Sequence, residues 1–413
     1  MKVHNLDRRR WLVLVASCLT NLCIGSLYAW SVFATPLADK LGGGLTAADL
    51  GIIFTVSNCI GPVTMIAGGF INDRLGPKWV ILAGGVLFGS GMLLSSFAGS
   101  VTLLLITYGL GCGLGNGFAY GCTISNSVKF FPDTRGLIGG IATATYGLSS
   151  VLIPPVANAL IQASGVSQAF VILGIAFLVI VCVCAMFIIK CPDGYCPAGY
   201  VPPRPAGGLA VAVPDRNWKE MLSTPIFYLM IAMMLCGAFS GLMITSQASP
   251  MAQSIAGMSV DAAAVTVSVL ALFNAAGRIL AGFLSDRFGR VTVLIGAFIL
   301  ELAGLGVLLT TGEGGNFQFI AGVSVMGICF GSVTGVYPGF TADKFGAKYN
   351  GVNYGIMFIG FAASGYFGPL AVRSVLGATG VYTGAFYIAG ALACLGIVLA
   401  FVYRGVTKKE GTK

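Results

Sequence analysis

Residues 269–290 read VLALFNAAGRILAGFLSDRFGR. A long apolar run closed by a polar S-D-R-F-G-R segment is the pattern of a helix that crosses a bilayer and ends in a tight turn. One residue inside the run breaks the pattern. Arg278 has no acid within a helical turn on either side, and placing a charge at the centre of a span costs at least about 2.5–3.5 kcal/mol. Something must compensate it.

The rest of the chain agrees with a membrane reading. Of 413 residues, 56% are hydrophobic and 9% are charged, and the mean hydropathy is +0.90. A soluble domain carries about 25% charged residues. Apolar runs long enough to span recur near 11–34, 49–70, 79–98, 101–128, 136–162 and 167–189. After a Pro-rich polar stretch at 191–224 they resume at 225–248, 261–284, 291–311, 317–341, 350–375 and 381–403. Twelve spans are expected, the first retained after MKVHNLDRRR because its apolar run is too long for a cleaved leader and no small-residue cleavage site follows it.

The net charge of +9 does not point to nucleic acid, because the basic residues fall in short clusters between spans. With both termini cytoplasmic, all 23 Lys and Arg lie on the cytoplasmic side except Lys40, Arg373 and Arg278. The cytoplasmic set runs from Lys2 and Arg8 through Arg204 in the central loop to Lys409 and Lys413. That bias is the positive-inside rule and orients the chain.

The two halves repeat. NDRLGPK at 72–78 follows the second span and SDRFGR at 285–290 the eighth; KFFPDTRG at 129–136 follows the fourth and KFGAKYNG at 344–351 the tenth. A duplicated six-helix unit accounts for both matches. The expected fold is therefore an all-α membrane protein of twelve transmembrane helices in two pseudo-symmetric six-helix bundles. Its domains are 1–190, a linker loop at 191–224, and 225–413.

With D-R-x-G-[RP] after spans 2 and 8, the chain resembles the major facilitator superfamily along nearly its whole length. Three stretches, LYAWSVFATPL, YGCTISNSVKFFPDTRG and LFNAAGRILAGFLSDRFGR, are similar to the oxalate/formate antiporter family and the related monocarboxylate (lactate/pyruvate) transporters. The resemblance implies two bundles around a central cavity, exposed alternately to the two sides. It also implies that the span-8 arginine, here Arg278, holds a substrate carboxylate. Arg suits that role through its planar fork and permanent charge. Asn274, one turn earlier on the same face, is expected to add a neutral hydrogen bond.

Further expected substrate contacts are Tyr28, Tyr120, Tyr146, Phe330, Thr334, Tyr337, Phe358 and Phe361. In the oxalate/formate antiporter a second cation stands in span 11, at the position aligned here with Phe361. One cation balances a monocarboxylate, whereas a dicarboxylate leaves a negative charge in a low-dielectric site. The expected substrate is thus lactate, pyruvate or a similar short acid, carried by proton symport; the alternative is an oxalate/formate-type anion exchanger. In the animal monocarboxylate transporters an Asp four residues before the span-8 arginine is implicated in proton coupling, and Asn274 cannot titrate. Glu301 and Asp261 remain as proton-coupling candidates. The only histidine, His4, lies in the N-terminal tail.

Asp73 and Arg74, with Asp286 and Arg287, are expected to form gating latches, each carboxylate meeting a helix N-terminus and an arginine. The glycine run GLGCGLGNGFAYG at 109–121 lies inside a span and is expected to serve helix packing, not phosphate binding. Cys191 and Cys196 lack the companions of a zinc site. No metal, cofactor or nucleic-acid partner is expected, nor an enzyme, since no nucleophile–base set falls within a span. Short loops argue against a signalling receptor. The chain is expected to work as a monomer in a bacterial inner membrane.

Overall fold

Helices arise wherever the apolar runs occur, because backbone polar groups at bilayer depth must bond within their own segment. The structure, a computed structural model, describes residues 3–47, 49–200 and 215–410. Lys2, Arg204 and Lys413, and the side chains of His4 and Lys409, lie outside the described residues, as does 201–214 of the linker.

The spanning helices are α1 (Leu6–Leu41), α2 (Gly51–Leu75), α3 (Pro77–Ser95) and α4 (Val101–Phe130). A continuous stretch, Arg135–Phe187, follows. It breaks at Gly165, whose φ of 83° and ψ of 164° are not helical, giving α5 (135–164) and α6 (166–187). The second set comprises α7 (Pro225–Ala256), α8 (Val260–Phe288), α9 (Arg290–Leu309), α10 (Asn316–Phe345), α11 (Asn350–Thr379) and α12 (Thr383–Lys408). Eleven helices long and apolar enough to cross a membrane are found among the described residues, and the break at Gly165 divides the longest in two, matching the twelve apolar runs. Four are irregular: α1 tightens to a 3₁₀ stretch at Gly25–Ala29, α2 is interrupted at Ile60, α4 widens to a π-helix at Leu105–Cys112, and α11 is interrupted at Phe358.

The two D-R-x-G segments fold alike. The amide of Gly76 closes α2 on the Asn72 carbonyl at 2.9 Å, and that of Gly289 closes α8 on the Ser285 carbonyl at 3.1 Å. Both glycines take positive φ, 91° and 86°, and the next helix starts at the following residue. A side chain at either position would be strained.

The chain forms two compact units, and each takes one short segment from the other half of the sequence. The first comprises Met1–Asp133, Thr145–Arg216 and Ala342–Ile356; the second comprises Thr134–Ala144, Asn217–Thr341 and Met357–Lys413. Within the first, Gly115 lies so close to α3 that an added Cβ would sit 2.5 Å from the Gly84 carbonyl. The glycine run of α4 thus serves close helix packing, as expected. The start of the linker is fastened to the same unit: the Tyr195 hydroxyl donates to Asp7, and its ring meets Phe130 edge-on at 5.6 Å. The second unit is rich in buried methionine, with Met230, Met233, Met234, Met243, Met251 and Met326 all enclosed. Such flexible side chains fill irregular gaps between helices.

Candidate functional site

Glycines bring three segments of the second unit together at one place on α8. Gly140, Gly331 and Gly335 each lie so near the main chain at Asn274 or Arg278 that a Cβ would clash with it. The close approach encloses Arg278, which is only 4% exposed. Its Nε donates to Asn274 Oδ1 at 2.8 Å, and its Nη1 donates to the Thr143 carbonyl at 2.8 Å.

Both acceptors are neutral. Ion pairs seen among the described residues join other groups, such as Arg10 with Asp133, Lys129 with Asp73 and Arg290 with Asp286. Arg278 is therefore neither clasped by an acid among the described residues nor extended to an exposed position. A guanidinium has five N–H donors, and the two bonds seen orient the group without cancelling its charge. Asn274 is 6% exposed, and its Nδ2 has no hydrogen-bond partner. Thr143 contributes a main-chain carbonyl, so no side-chain signal in the sequence could have pointed to it.

Phe330, Phe358 and Phe361 form a ladder in the same unit. Phe358 and Phe361 stack at 4.5 Å, and Phe361 and Phe330 at 6.0 Å with planes 11° apart. Phe330 rests on Gly241 of α7, where a Cβ would meet its ring. Two other expected contacts are placed differently. The Tyr337 hydroxyl donates to the Met230 carbonyl at 2.7 Å, and the residue is fully enclosed, so its proton fastens α10 to α7. The Thr334 hydroxyl donates to Phe330 and Gly331 carbonyls of its own helix at 3.1 Å. Neither hydroxyl is turned to an open space.

The three tyrosines expected from spans 1, 4 and 5 cluster in the first unit. Tyr28 meets Tyr146 edge-on at 5.3 Å, Tyr120 meets Tyr146 at 4.6 Å, and Phe54 joins at 6.4 Å from Tyr28. The 3₁₀ stretch that carries Tyr28 is pressed against α5, since a Cβ on Gly25 would lie 2.5 Å from the Tyr146 carbonyl.

The carboxylates of the loop motifs each meet a helix N-terminus, as the sequence suggests. Asp286 accepts from the amides of Gly136 and Leu137 at 2.8 Å each, in the first turn of α5. Asp73 accepts from the amide of Val352 at 3.3 Å, in the first turn of α11. Anions are favoured there by the unpaired amides and the helix dipole. An arginine is expected beside each acid, and Asp73 has a lysine in its place. Lys129 pairs with Asp73 at 3.0 Å and Arg290 with Asp286 at 2.7 Å. Arg74 and Arg287 are exposed instead, Arg287 lying over the Phe283 ring at 4.5 Å. Lys129 reaches across from α4, and Arg290 is one turn beyond Asp286, so both meet the acid without leaving the protein surface for water.

Of the two proton-coupling candidates, Asp261 is exposed in the first turn of α8. Glu301 is fully enclosed; Ser240 Oγ donates to its Oε1 at 2.6 Å, and Oε2 has no hydrogen-bond partner. Among the described residues no group of three His, Cys, Asp or Glu side chains is arranged to hold a metal.

Known proteins give this arrangement a context. The chain is 29% identical over 361 residues to the MFS-type transporter YhjX of Escherichia coli (strain K12), covering 87% of each. It is 29% identical over 362 residues to the oxalate:formate antiporter of Oxalobacter formigenes, covering 87% of this chain and 83% of that one. It is 27% identical over 367 residues to monocarboxylate transporter 12-B of Danio rerio, covering 82% and 75%. Among solved structures, the proton:xylose symporter XylE superposes with a TM-score of 0.72 at 16% identity, over 95% of both chains; this likeness concerns the fold. The Major Facilitator Superfamily profile matches residues 11–279 and 247–413. With its spanning helices and its matched length, the chain is an integral membrane transporter, not an enzyme, and belongs to the Major Facilitator Superfamily.

Proposed function

We propose that the protein is a secondary active transporter of short-chain monocarboxylates such as lactate or pyruvate, working by alternating access in symport with a proton. One observation carries the reading: the enclosed Arg278 guanidinium has two neutral acceptors and no acid among the described residues. A buried cation with no acid bonded to it is costly. A monocarboxylate supplies one negative charge and two oxygens in the geometry the fork matches. Asn274 Nδ2, which has no partner, is a further donor for it. The phenylalanine ladder offers apolar surface for a methyl or short alkyl tail. The names of the relatives support an acid substrate, since both oxalate:formate and monocarboxylate transporters occur among them.

In this reading Tyr28, Tyr120 and Tyr146 are further substrate contacts, while Asp73 and Asp286 hold helix ends in one state and release them in the other. The repeats 1–190 and 225–413, joined by the 191–224 linker, sit in a bacterial inner membrane with both termini cytoplasmic, and one copy suffices.

The test is uptake of labelled lactate into liposomes holding the purified protein. Arg278→Ala removes the charge and Arg278→Lys the fork; both are expected to cut uptake at least 100-fold, a loss of about 3 kcal/mol or more. Undiminished uptake by Arg278→Ala refutes the assignment. Uptake that needs an anion inside the vesicle and ignores a proton gradient identifies an exchanger of the oxalate/formate type instead.

A further inference from the structure

The enclosed Glu301–Ser240 pair in the second unit has no part in substrate contact, and its position on α9 raises a question of charge. Arg278 lies about three helical turns before the Gly289 turn, and Glu301 about three turns after it. Along two helices joined by that turn they therefore stand at about the same level. Yet they are not an ion pair, because Arg278 bonds to Asn274 and Thr143 while Glu301 accepts from Ser240.

We infer that Glu301 is the proton-carrying group of the transport cycle, and that its charge and that of Arg278 together fix the coupling at one proton per monocarboxylate. The inference rests on the proposed transport of a monocarboxylate. A proton binds to a Glu301 carboxylate oxygen, Oε2 being the one without a partner, and later leaves that oxygen for water; no other bond changes. Four combinations then exist. With neither proton nor substrate, Arg278 and Glu301 carry opposite charges and sum to zero. With both, Glu301 is neutral and the substrate balances Arg278, again summing to zero. With substrate alone the sum is one negative charge, and with the proton alone one positive charge. A net charge enclosed in a low-dielectric interior is disfavoured, so the carrier changes state in the two balanced forms. Symport follows from that arithmetic, without contact between the two groups.

The surroundings of Glu301 leave few other groups to compete. From α7 the titratable neighbour is Cys236, and from α10 it is Cys329. On α12, Gly390 and Gly396 approach Leu302, Leu305 and Phe298 of α9, and the stretch between them carries Cys394, which is exposed. At the α8–α9 turn, Asp286 and Arg287 lie about three helical turns from Glu301. No Lys, Arg or second acid is paired with Glu301 among the described residues. The other candidate, Asp261, is exposed.

Glu301→Gln keeps an acceptor for Ser240 and cannot titrate. In liposomes with an internal pH dye it is expected to retain lactate counterflow within about threefold of wild type, because the loaded form stays balanced. Its net, gradient-driven uptake and the accompanying proton entry are expected to fall at least tenfold, because the empty carrier now holds a lone positive charge. Wild-type proton entry in Glu301→Gln overturns the inference while leaving monocarboxylate transport intact. A second readout does not depend on substrate: infrared difference spectra between acid and alkaline buffer are expected to show a carboxyl C=O band that Glu301→Gln removes and Ser240→Ala shifts. Absence of such a band also overturns the inference. If the band is present but wild type moves no monocarboxylate, the proton site stands and the substrate reading fails.

Discussion

The Arg278 Nε donates to the Asn274 Oδ1 at 2.8 Å, one helical turn away on α8. The neutral amide orients the guanidinium but leaves its charge for an incoming anion. Asn274→Asp would install a permanent counter-ion at the same distance. Affinity for lactate, read by isothermal titration or counterflow, is expected to drop at least tenfold at neutral pH. Part of that loss should return in acid, where the new carboxyl is protonated.

Asp286 places both oxygens on the first amides of α5, Gly136 and Leu137, at 2.8 Å. Hydrogen bonds to a charged group contribute about 1.5–3 kcal/mol each. Asp286→Ala is expected to destabilise the second unit by about 3 kcal/mol and to speed alkylation of a cysteine introduced at Leu137. Asp286→Asn keeps one acceptor and should fall between. Equal labelling rates in all three proteins would show that the carboxylate does not hold this helix end.

Tyr337→Phe separates packing from binding. Its hydroxyl is committed to the Met230 carbonyl at 2.7 Å, so the variant removes that hydrogen bond at a cost of about 0.5–1.5 kcal/mol. A lower thermal midpoint with lactate affinity unchanged within twofold is expected. A large affinity loss at unchanged stability would restore Tyr337 to the substrate contacts.

Between α1 and α2, Asp49 accepts from the Thr46 hydroxyl at 2.7 Å and the Thr46 amide at 2.8 Å. These bonds, the hydroxyl first, hold its carboxyl below the ordinary Asp value. A depressed carboxyl adds stability above the unfolded value of about 3.9, and the contribution is lost as pH falls through the folded value. Amide exchange in this loop should therefore accelerate below about pH 4. Asp49→Asn should remove that acid-dependent step.

Phe361 stands in the phenylalanine ladder, stacked on Phe358 at 4.5 Å. Phe361→Lys adds a second cation to the unit that holds Arg278. Oxalate counterflow is expected to appear or rise at least tenfold, with lactate uptake reduced. No gain for oxalate would mean that charge count does not set the choice between mono- and dicarboxylate.

Some of this protein was legible in one dimension. Apolar runs and basic clusters fix twelve spans, because an unpaired backbone in lipid allows little but helix and because run length is counted directly. The paired D-R-x-G segments gave away the turns at Gly76 and Gly289, since a glycine after a capped polar end is a local signal. Arg278 and Glu301 stood out as ionisable residues in apolar runs, where composition alone marks them. What the tertiary structure decided is partnership. Thr143 serves Arg278 through a main-chain carbonyl, Lys129 and Arg290 displaced Arg74 and Arg287 beside the acids, Ser240 holds Glu301, and Tyr337 is spent on Met230. Thr143, Lys129, Ser240 and Met230 lie 56 to 135 residues from their partners, each on another helix. Local periodicity sets which face a side chain takes, but only packing sets which group it meets there.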